Sequence, residues 1–246
     1  MTQPIALVTG GTSGIGEAVV ARFVAEGYRV LTCGRNPQKV SVLQSKYAGQ
    51  PVDVLQGDIS QQAFRDTLVQ ALLPYGRLTT LVNNAGVYES SGTFDEDVSA
   101  WGNVLNINLV AAHALVQECY PFLKKAQNPS VVNVSSVCGL RALTRCSSTI
   151  YSVSKAGLDM LTLRLAQGLG ADGIRVNSVN PGVVDTPIWE GAYDKMHEVA
   201  KAQHALKGQT IAAEDIANAV FFLASSQAQV ITGAIIPVDA GYNLGA

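Results

Sequence analysis

The chain has 246 residues, a formal net charge of −2 and 48% apolar residues, with Lys and Arg scattered rather than clustered. That balance argues against a surface built for nucleic acid or an anionic membrane, and no apolar run has the length needed to cross a bilayer. One large core or two small domains would fit the length; with no Pro/Gly/Ser linker, low-complexity tract or internal repeat, one domain is expected.

In chain order, seven apolar runs read as buried strands: IALVT, RVLTC, VDVLQ, TTLVNN, SVVNVSS, IRVNSVN and AIIPVD. Amphipathic helical patterns fall between them, over 14–26, 60–73, 97–123, 152–169 and 213–224. Continuous apolar strands separated by helices predict a parallel sheet covered on both faces. Right-handed crossovers then make it a doubly wound α/β fold of seven parallel strands. In such a fold the ligand site lies outside the carboxyl ends of the strands, where strand order reverses. No signal peptide is expected before the first run, which starts at Ile5. Cys33, Cys119, Cys138 and Cys146 have neither metal-ligand spacing nor the density of a disulfide scaffold, which fits a reducing, cytosolic compartment. His113, His197 and His204 give no reason to expect a dedicated metal site.

The segment TGGTSGIG, Thr9 to Gly16, follows the first strand and opens the first helix. Gly10, Gly14 and Gly16 permit a tight turn, close backbone approach and helix–strand packing, and exposed N–H groups at a helix start suit a pyrophosphate. Thr12, Ser13 and Ile15 complete the candidate cradle. The spacing is G-x-x-x-G-x-G rather than G-x-G-x-x-G; a glycine turn without a ligand is the competing reading. Further on, IYSVSKAGLDM places Tyr151 and Lys155 four apart, so a phenol and an ammonium share one helical face. A surface helix with a chance Tyr–Lys pair is the plain alternative.

Taken together, TGGTSGIG, NNAG at 83–86, YSVSK at 151–155 and NPG at 180–182 resemble the single-domain short-chain dehydrogenase/reductases. The resemblance covers the whole chain through ITGAIIPVDAGY and implies one Rossmann-like domain over 1–246. It implies that Tyr151 donates or accepts the proton and that Lys155 binds the nicotinamide ribose hydroxyls. A free tyrosine has a pKa of about 10, and a neighbouring ammonium is expected to lower it by about 1–3 units. The resemblance also assigns Ser136 to orienting the substrate oxygen, with Ser135 as the alternative and a cap at the end of strand five as the structural one. Ser136 and Tyr151 stand fifteen residues apart, slightly more than is common in the family, and the extra length falls in LRALTRCSST near the substrate mouth. Asn108 matches the asparagine that helps hold a proton-relay water to the lysine, with Asn106 two residues away as the alternative.

For the cofactor, an acidic residue after the second strand would select NAD. Here that place holds Gly34 and Arg35; the guanidinium can meet a 2′-phosphate bidentately, so NADP(H) is favoured over NAD(H). A solvent-exposed arginine without a partner is the competing reading. The resemblance implies that Asp58, beside Ile59, accepts from the adenine amino group and that Asn84, Ala85 and Gly86 line the adenosine ribose. It likewise puts Val184 and Thr186 at the carboxamide, after the bend at Pro181–Gly182. Residues 187–210 are expected to form a mobile cover over substrate, with Trp189, Tyr193 and Met196 lining a pocket or merely packing. Arg141 and Arg145 sit near the mouth as partners for an anion or as solvated charges.

The expected activity is an NADP(H)-dependent interconversion of a small-molecule carbonyl and an alcohol, in the cytoplasm. Alternatives are an NAD(H)-dependent alcohol or sugar dehydrogenase and a dinucleotide-binding sensor or scaffold without turnover. A sugar-nucleotide epimerase would need a further substrate domain, and an enoyl reductase would space its tyrosine and lysine more widely. Helices 97–123 and 152–169 are more apolar than one covered face requires, and the resemblance implies a homotetramer, with a homodimer as the alternative.

Overall fold

All seven apolar runs become strands of one sheet in the computed structural model of the chain, which describes residues 3–89, 94–143, 146–189, 191–206 and 209–244. The strands are β1 Ile5–Thr9, β2 Arg29–Gly34, β3 Val52–Gln56, β4 Thr80–Asn83, β5 Ser130–Val134, β6 Arg175–Pro181 and, last in the chain, β9 Ile235–Val238. Their order is β3-β2-β1-β4-β5-β6-β9, and every pairing is parallel. Strand order reverses between β1 and β4, so the crevice that such a sheet offers a ligand opens there. A separate two-stranded piece, β7 Val184–Asp185 with β8 Ile211–Ala212, was not anticipated from periodicity, because two residues are too few to show one.

The sheet is apolar on both faces because alternate residues of each strand enter opposite layers. Leu7, Leu31, Leu81, Val131 and Val176 join Leu68 and Leu72 of α3 (Gln62–Leu72) and Leu115 and Leu123 of α5 (Ala111–Leu123). On the other face, Ala6, Val8, Val30, Val82 and Val132 meet Val20 and Phe23 of α1 (Gly14–Ala25) and Ile216 and Val220 of α8 (Ala213–Ala224). Between these layers, a row of polar side chains crosses the strands. Asn83 Nδ2 donates to Asn133 Oδ1 at 2.9 Å, and Asn133 Nδ2 donates to Thr162 Oγ1 at 2.8 Å. These hydrogen bonds are what let the amide donors persist inside an apolar sheet.

Two helices differ from the periodic reading. The segment expected as one helix over 97–123 is interrupted: α4 (Val98–Leu105) passes into a π turn at Asn106–Val110 before α5 resumes. Hydrophobic spacing tolerates one inserted residue, so the pattern alone cannot show the turn, and such turns recur at functional sites. The helix expected from 152 begins earlier, as α6 Thr149–Leu169, because Ser148 accepts the Tyr151 N–H at 3.1 Å and Glu96 accepts the N–H groups of Thr149 at 2.9 Å and Ile150 at 2.8 Å. A carboxylate and a hydroxyl thus satisfy donors that the first turn leaves open. Remaining helices are α2 Pro37–Lys46, capped by Asn36 with proline in its first turn, and α7 Tyr193–Gln203 within the expected cover.

Candidate active site

The predicted site residues gather along the carboxyl edge of the sheet. The Gly10–Gly16 loop leaves β1, Arg35 follows β2, and Asp58 and Ile59 follow β3. Asn84–Gly86 follow β4, Ser136 follows β5, and Pro181, Gly182, Val184 and Thr186 lie at and beyond the end of β6. Gly10 turns the chain with φ 68°, a left-handed conformation, and a Cβ there would come 2.9 Å from Ala85 Cα. The two loops are laced together. Asn84 Nδ2 donates to the carbonyls of Thr9 at 2.9 Å and Gly10 at 3.2 Å, while Thr9 Oγ1 accepts the N–H groups of Asn84 and Ala85, both at 3.0 Å. The Asn84 amide therefore holds the glycine turn in shape. Ser13 makes no capping bond to α1, which leaves the helix start without a side-chain acceptor. Thr186 arches over this end, 3.4 Å from where a Cβ on Gly14 would lie.

At the far end of β2, a Cβ on Gly34 would strike Thr12, whose own Cβ would stand 3.0 Å away. A carboxylate side chain at residue 34 has no room unless Thr12 moves. Arg35 is mostly exposed, with Nη1 3.8 Å from Asp58 Oδ2, too long for a hydrogen bond. Asp58 is instead held by its other oxygen, which accepts the Ser60 N–H at 2.9 Å, and the Ile59 carbonyl accepts from Arg65 at 2.9 Å.

On α6, the Tyr151 phenol lies beside Ser136, which works against the effect of burial on it, and its ring packs edge-on against Tyr88, with centroids 5.1 Å apart. Ser136 is thus the serine brought to the phenol. It also caps the short turn Val137–Gly139 by accepting the Cys138 N–H at 3.2 Å, so the capping and substrate-facing readings are compatible. Ser135 points the other way, donating to the Lys155 carbonyl at 3.1 Å. Lys155 is buried, and its Nζ donates to the Val134 carbonyl at 2.9 Å and stands 5.7 Å from the Tyr151 ring centroid. Burial drives the ammonium down to about 8, with Asp159 pulling the other way.

The expected lowering of the tyrosine is overturned. Burial pushes the Tyr151 phenol up, partly offset by the Ser136 hydrogen bond and reinforced by Tyr88. Desolvation wins because the lysine nitrogen is turned to a backbone carbonyl rather than to the phenol.

Asn108 sits in the π turn and is the buried asparagine of its pair. Its Oδ1 accepts the Val87 N–H at 2.8 Å, and its Nδ2 donates to Val87 O and to Ser154 Oγ, both at 3.0 Å. The side chain therefore fastens the loop after β4 to the Tyr151 helix.

Sequence reasoning missed Asp159. It lies four residues beyond Lys155 on the same face, a spacing already visible in the chain. Its carboxylate accepts from Ser178 at 2.9 Å and from Asn180 at 2.7 Å, and Asn180 donates to the Ser136 carbonyl at 3.0 Å. Glu96 was also missed, and no local pattern marks it, since its partners are 53 and 54 residues away.

In the cover, Met196 is fully buried and packs, Tyr193 is 40% exposed, and Trp189 closes a short turn with Pro187. Arg141 is exposed, whereas Arg145 lies outside the described residues. Although the four cysteines lack the density of a disulfide scaffold, Cys138 and Cys146 form a disulfide. Eight residues of separation carry no framework signal, but the fold returns the chain to the same place. Among the described residues, no helix is long and apolar enough to cross a membrane, and no three metal-ligating side chains cluster.

The donors present fit a dinucleotide: an uncapped helix start for phosphates, a guanidinium beyond β2 and a buried ammonium at the other end. Comparison with known proteins agrees. A family model described as enoyl-(acyl carrier protein) reductase matches residues 10–243. The chain is 32% identical over 240 residues to the 3-oxoacyl-[acyl-carrier-protein] reductase FabG of Thermotoga maritima, covering 96% of each. It is 34% identical over 244 residues to the cis-4-hydroxycyclohexanecarboxylate dehydrogenase of Sinomonas cyclohexanicum, covering 98% of this chain and 96% of that one. Among solved structures, a short-chain dehydrogenase/reductase family oxidoreductase from Burkholderia thailandensis superposes with a TM-score of 0.90 at 34% identity, over 100% of this chain and 94% of that one. The Pseudomonas aeruginosa RhlG/NADP active-site complex gives 0.88 at 30% identity, over 99% and 97%. The chain belongs to the short-chain dehydrogenase/reductase family, whose members are oxidoreductases that bind a nicotinamide dinucleotide.

Proposed function

We propose that the protein is an NADP(H)-dependent oxidoreductase that interconverts a small-molecule carbonyl and an alcohol. The observation that carries this reading is the Tyr151 phenol beside Ser136, on one helix face with the buried Lys155, whose Nζ stands 5.7 Å from its ring centroid. When bound, the nicotinamide supplies or accepts the hydride. Ser136 and Tyr151 together hold the substrate oxygen, and Tyr151 gives it a proton in reduction or takes one in oxidation. Lys155, buried one helical turn beyond Tyr151, binds the ribose hydroxyls. Asn108 belongs to the proton relay through the π turn that sets its position.

NADP(H) is preferred because Arg35 offers a fork for a 2′-phosphate and the space at Gly34 is taken by Thr12. That one structural relative is an NADP complex supports this choice. The Gly10–Gly16 loop takes the pyrophosphate, Asp58 and Ile59 the adenine, Asn84–Gly86 the ribose, and Pro181, Gly182, Val184 and Thr186 the carboxamide side. Residues 187–210 cover the substrate. Although the matching family model carries an enoyl reductase description, the four-residue Tyr–Lys spacing favours carbonyl chemistry. The same reading puts a homotetramer, or a homodimer, in the cytoplasm.

The test is a nicotinamide-absorbance screen of a carbonyl and alcohol panel with both cofactors. Turnover with NADP(H) ahead of NAD(H) is the expected result. Cofactor binding without turnover on any compound would favour a sensor instead.

A further inference from the structure

We propose that Cys138 and Cys146 are a redox-modified pair, oxidised by a low-molecular-weight disulfide, whose bond clamps the rim of the site. The two Cα atoms are 6.1 Å apart in the bonded structure, within the usual span of a disulfide. The inference goes beyond hydride transfer and relies on that reading only for the meaning of the rim.

What the bond joins gives it its effect. Cys138 belongs to the turn Val137–Gly139, and its N–H holds Ser136 Oγ at 3.2 Å. That turn lies directly on α6, since a Cβ on Gly139 would come 2.7 Å from the Lys155 carbonyl carbon. Cys146 approaches α6 about one turn nearer its N-terminus, with Sγ 3.3 Å from Ser152 Oγ. Ser152 Oγ donates to the Ser148 carbonyl at 2.9 Å, and Ser148 Oγ accepts the Tyr151 N–H at 3.1 Å. The bond therefore ties the turn carrying Ser136 to the cap of the helix carrying Tyr151.

The four cysteines fall into two classes. Cys33 and Cys119 are buried, and burial pushes their thiols up to about 11 and about 12, leaving them protonated and inert. Cys138 and Cys146 are only half-buried at the rim. One of the pair, as thiolate, attacks the small disulfide, forming a mixed disulfide and releasing one small thiolate. The second thiolate then attacks the protein sulfur of that mixed disulfide, forming the Cys138–Cys146 bond and expelling the other. Two electrons pass from the protein sulfurs to the small disulfide, and both thiol protons end on the released thiols.

The experiment uses the full chain, reduced with dithiothreitol, freed of it, and exposed to glutathione disulfide. Titratable thiols in denaturant are expected to fall from four to two, with loss of two hydrogens and no adduct by intact mass. Renewed dithiothreitol should restore them. Cys138→Ser and Cys146→Ser should each stop at a single glutathione adduct. Relative to the reduced form, the oxidised form should melt about 5 °C higher. Amide exchange at Val137–Leu140 and the first turn of α6 should slow by about tenfold. Four titratable thiols after oxidant would overturn the proposal, and so would a bond that dithiothreitol never opens. A bond that changes neither melting nor exchange would remove the clamp. None of these readouts needs a substrate, so their failure leaves the reductase reading standing. Equally, a carbonyl panel without turnover leaves the pair standing.

Discussion

Burial acts in opposite directions on the two groups of the YSVSK motif. The Tyr151 phenol is held protonated, while the Lys155 ammonium is loosened to about 8. Reduction needs both protons in place, so kcat/KM for a carbonyl should fall as pH rises through about 8, where the free enzyme's lysine becomes neutral. Asp159 raises the lysine value, so Asp159→Asn should move that limb to lower pH, which a pH–rate profile reads directly. A purely structural Asp159 would lower activity without moving the limb. Tyr151→Phe keeps the ring and removes the transferable proton; kcat/KM should drop by about a hundred- to ten-thousand-fold while cofactor affinity, measured by fluorescence titration, changes little. At the adenosine end, a charge-assisted hydrogen bond contributes about 1.5–3 kcal/mol. Arg35→Ala should therefore weaken NADP binding by about ten- to a hundred-fold and NAD binding hardly at all. Equal losses for both cofactors in parallel titrations would remove the role given to Arg35.

At the scale of elements, α6 is positioned as much by its first turn as by its packing. Glu96 spans the N–H groups of Thr149 and Ile150, and Ser148 takes that of Tyr151. A carboxylate there also meets the positive end of the helix dipole. Glu96→Ala should cost about 1–2 kcal/mol, a fall of about 2–8 °C in Tm for a chain of this size. Scanning calorimetry checks the value, and Glu96→Gln, which keeps an acceptor, should recover part of it. The π turn between α4 and α5 has a similar positioning role. It carries Asn108, which grips both Val87 and Ser154.

Across the whole molecule, α6 leaves Met160 at 58% and Leu163 at 38% exposure, next to Val153 at 44%. These positions recur on one face of the helix, and Val110 at 53% extends apolar exposure to the π turn. A second copy packing α6 against α6 would cover that face. Light scattering should give a homotetramer or homodimer for the native chain. Met160→Glu together with Leu163→Glu should shift it to smaller species. A native monomer at working concentration would remove the claim.

The seven parallel strands, their alternation with helices and the gathering of the candidate residues at the carboxyl edge could all be read from the chain. Those follow from local periodicity and from glycine spacing, which neighbouring residues carry. The proximity of Tyr151 and Lys155 was legible for the same reason, since a helix brings residues four apart onto one face. The rest depends on burial and on residues distant in the chain. The upward shift of Tyr151 needs the desolvating walls around it, including Tyr88, which no spacing rule connects to the helix. The choice of Ser136 over Ser135 depends on which of two adjacent hydroxyls faces α6's phenol and which faces its backbone. Glu96 and the Cys138–Cys146 bond are contacts made by loops, and loop conformation has no period to read.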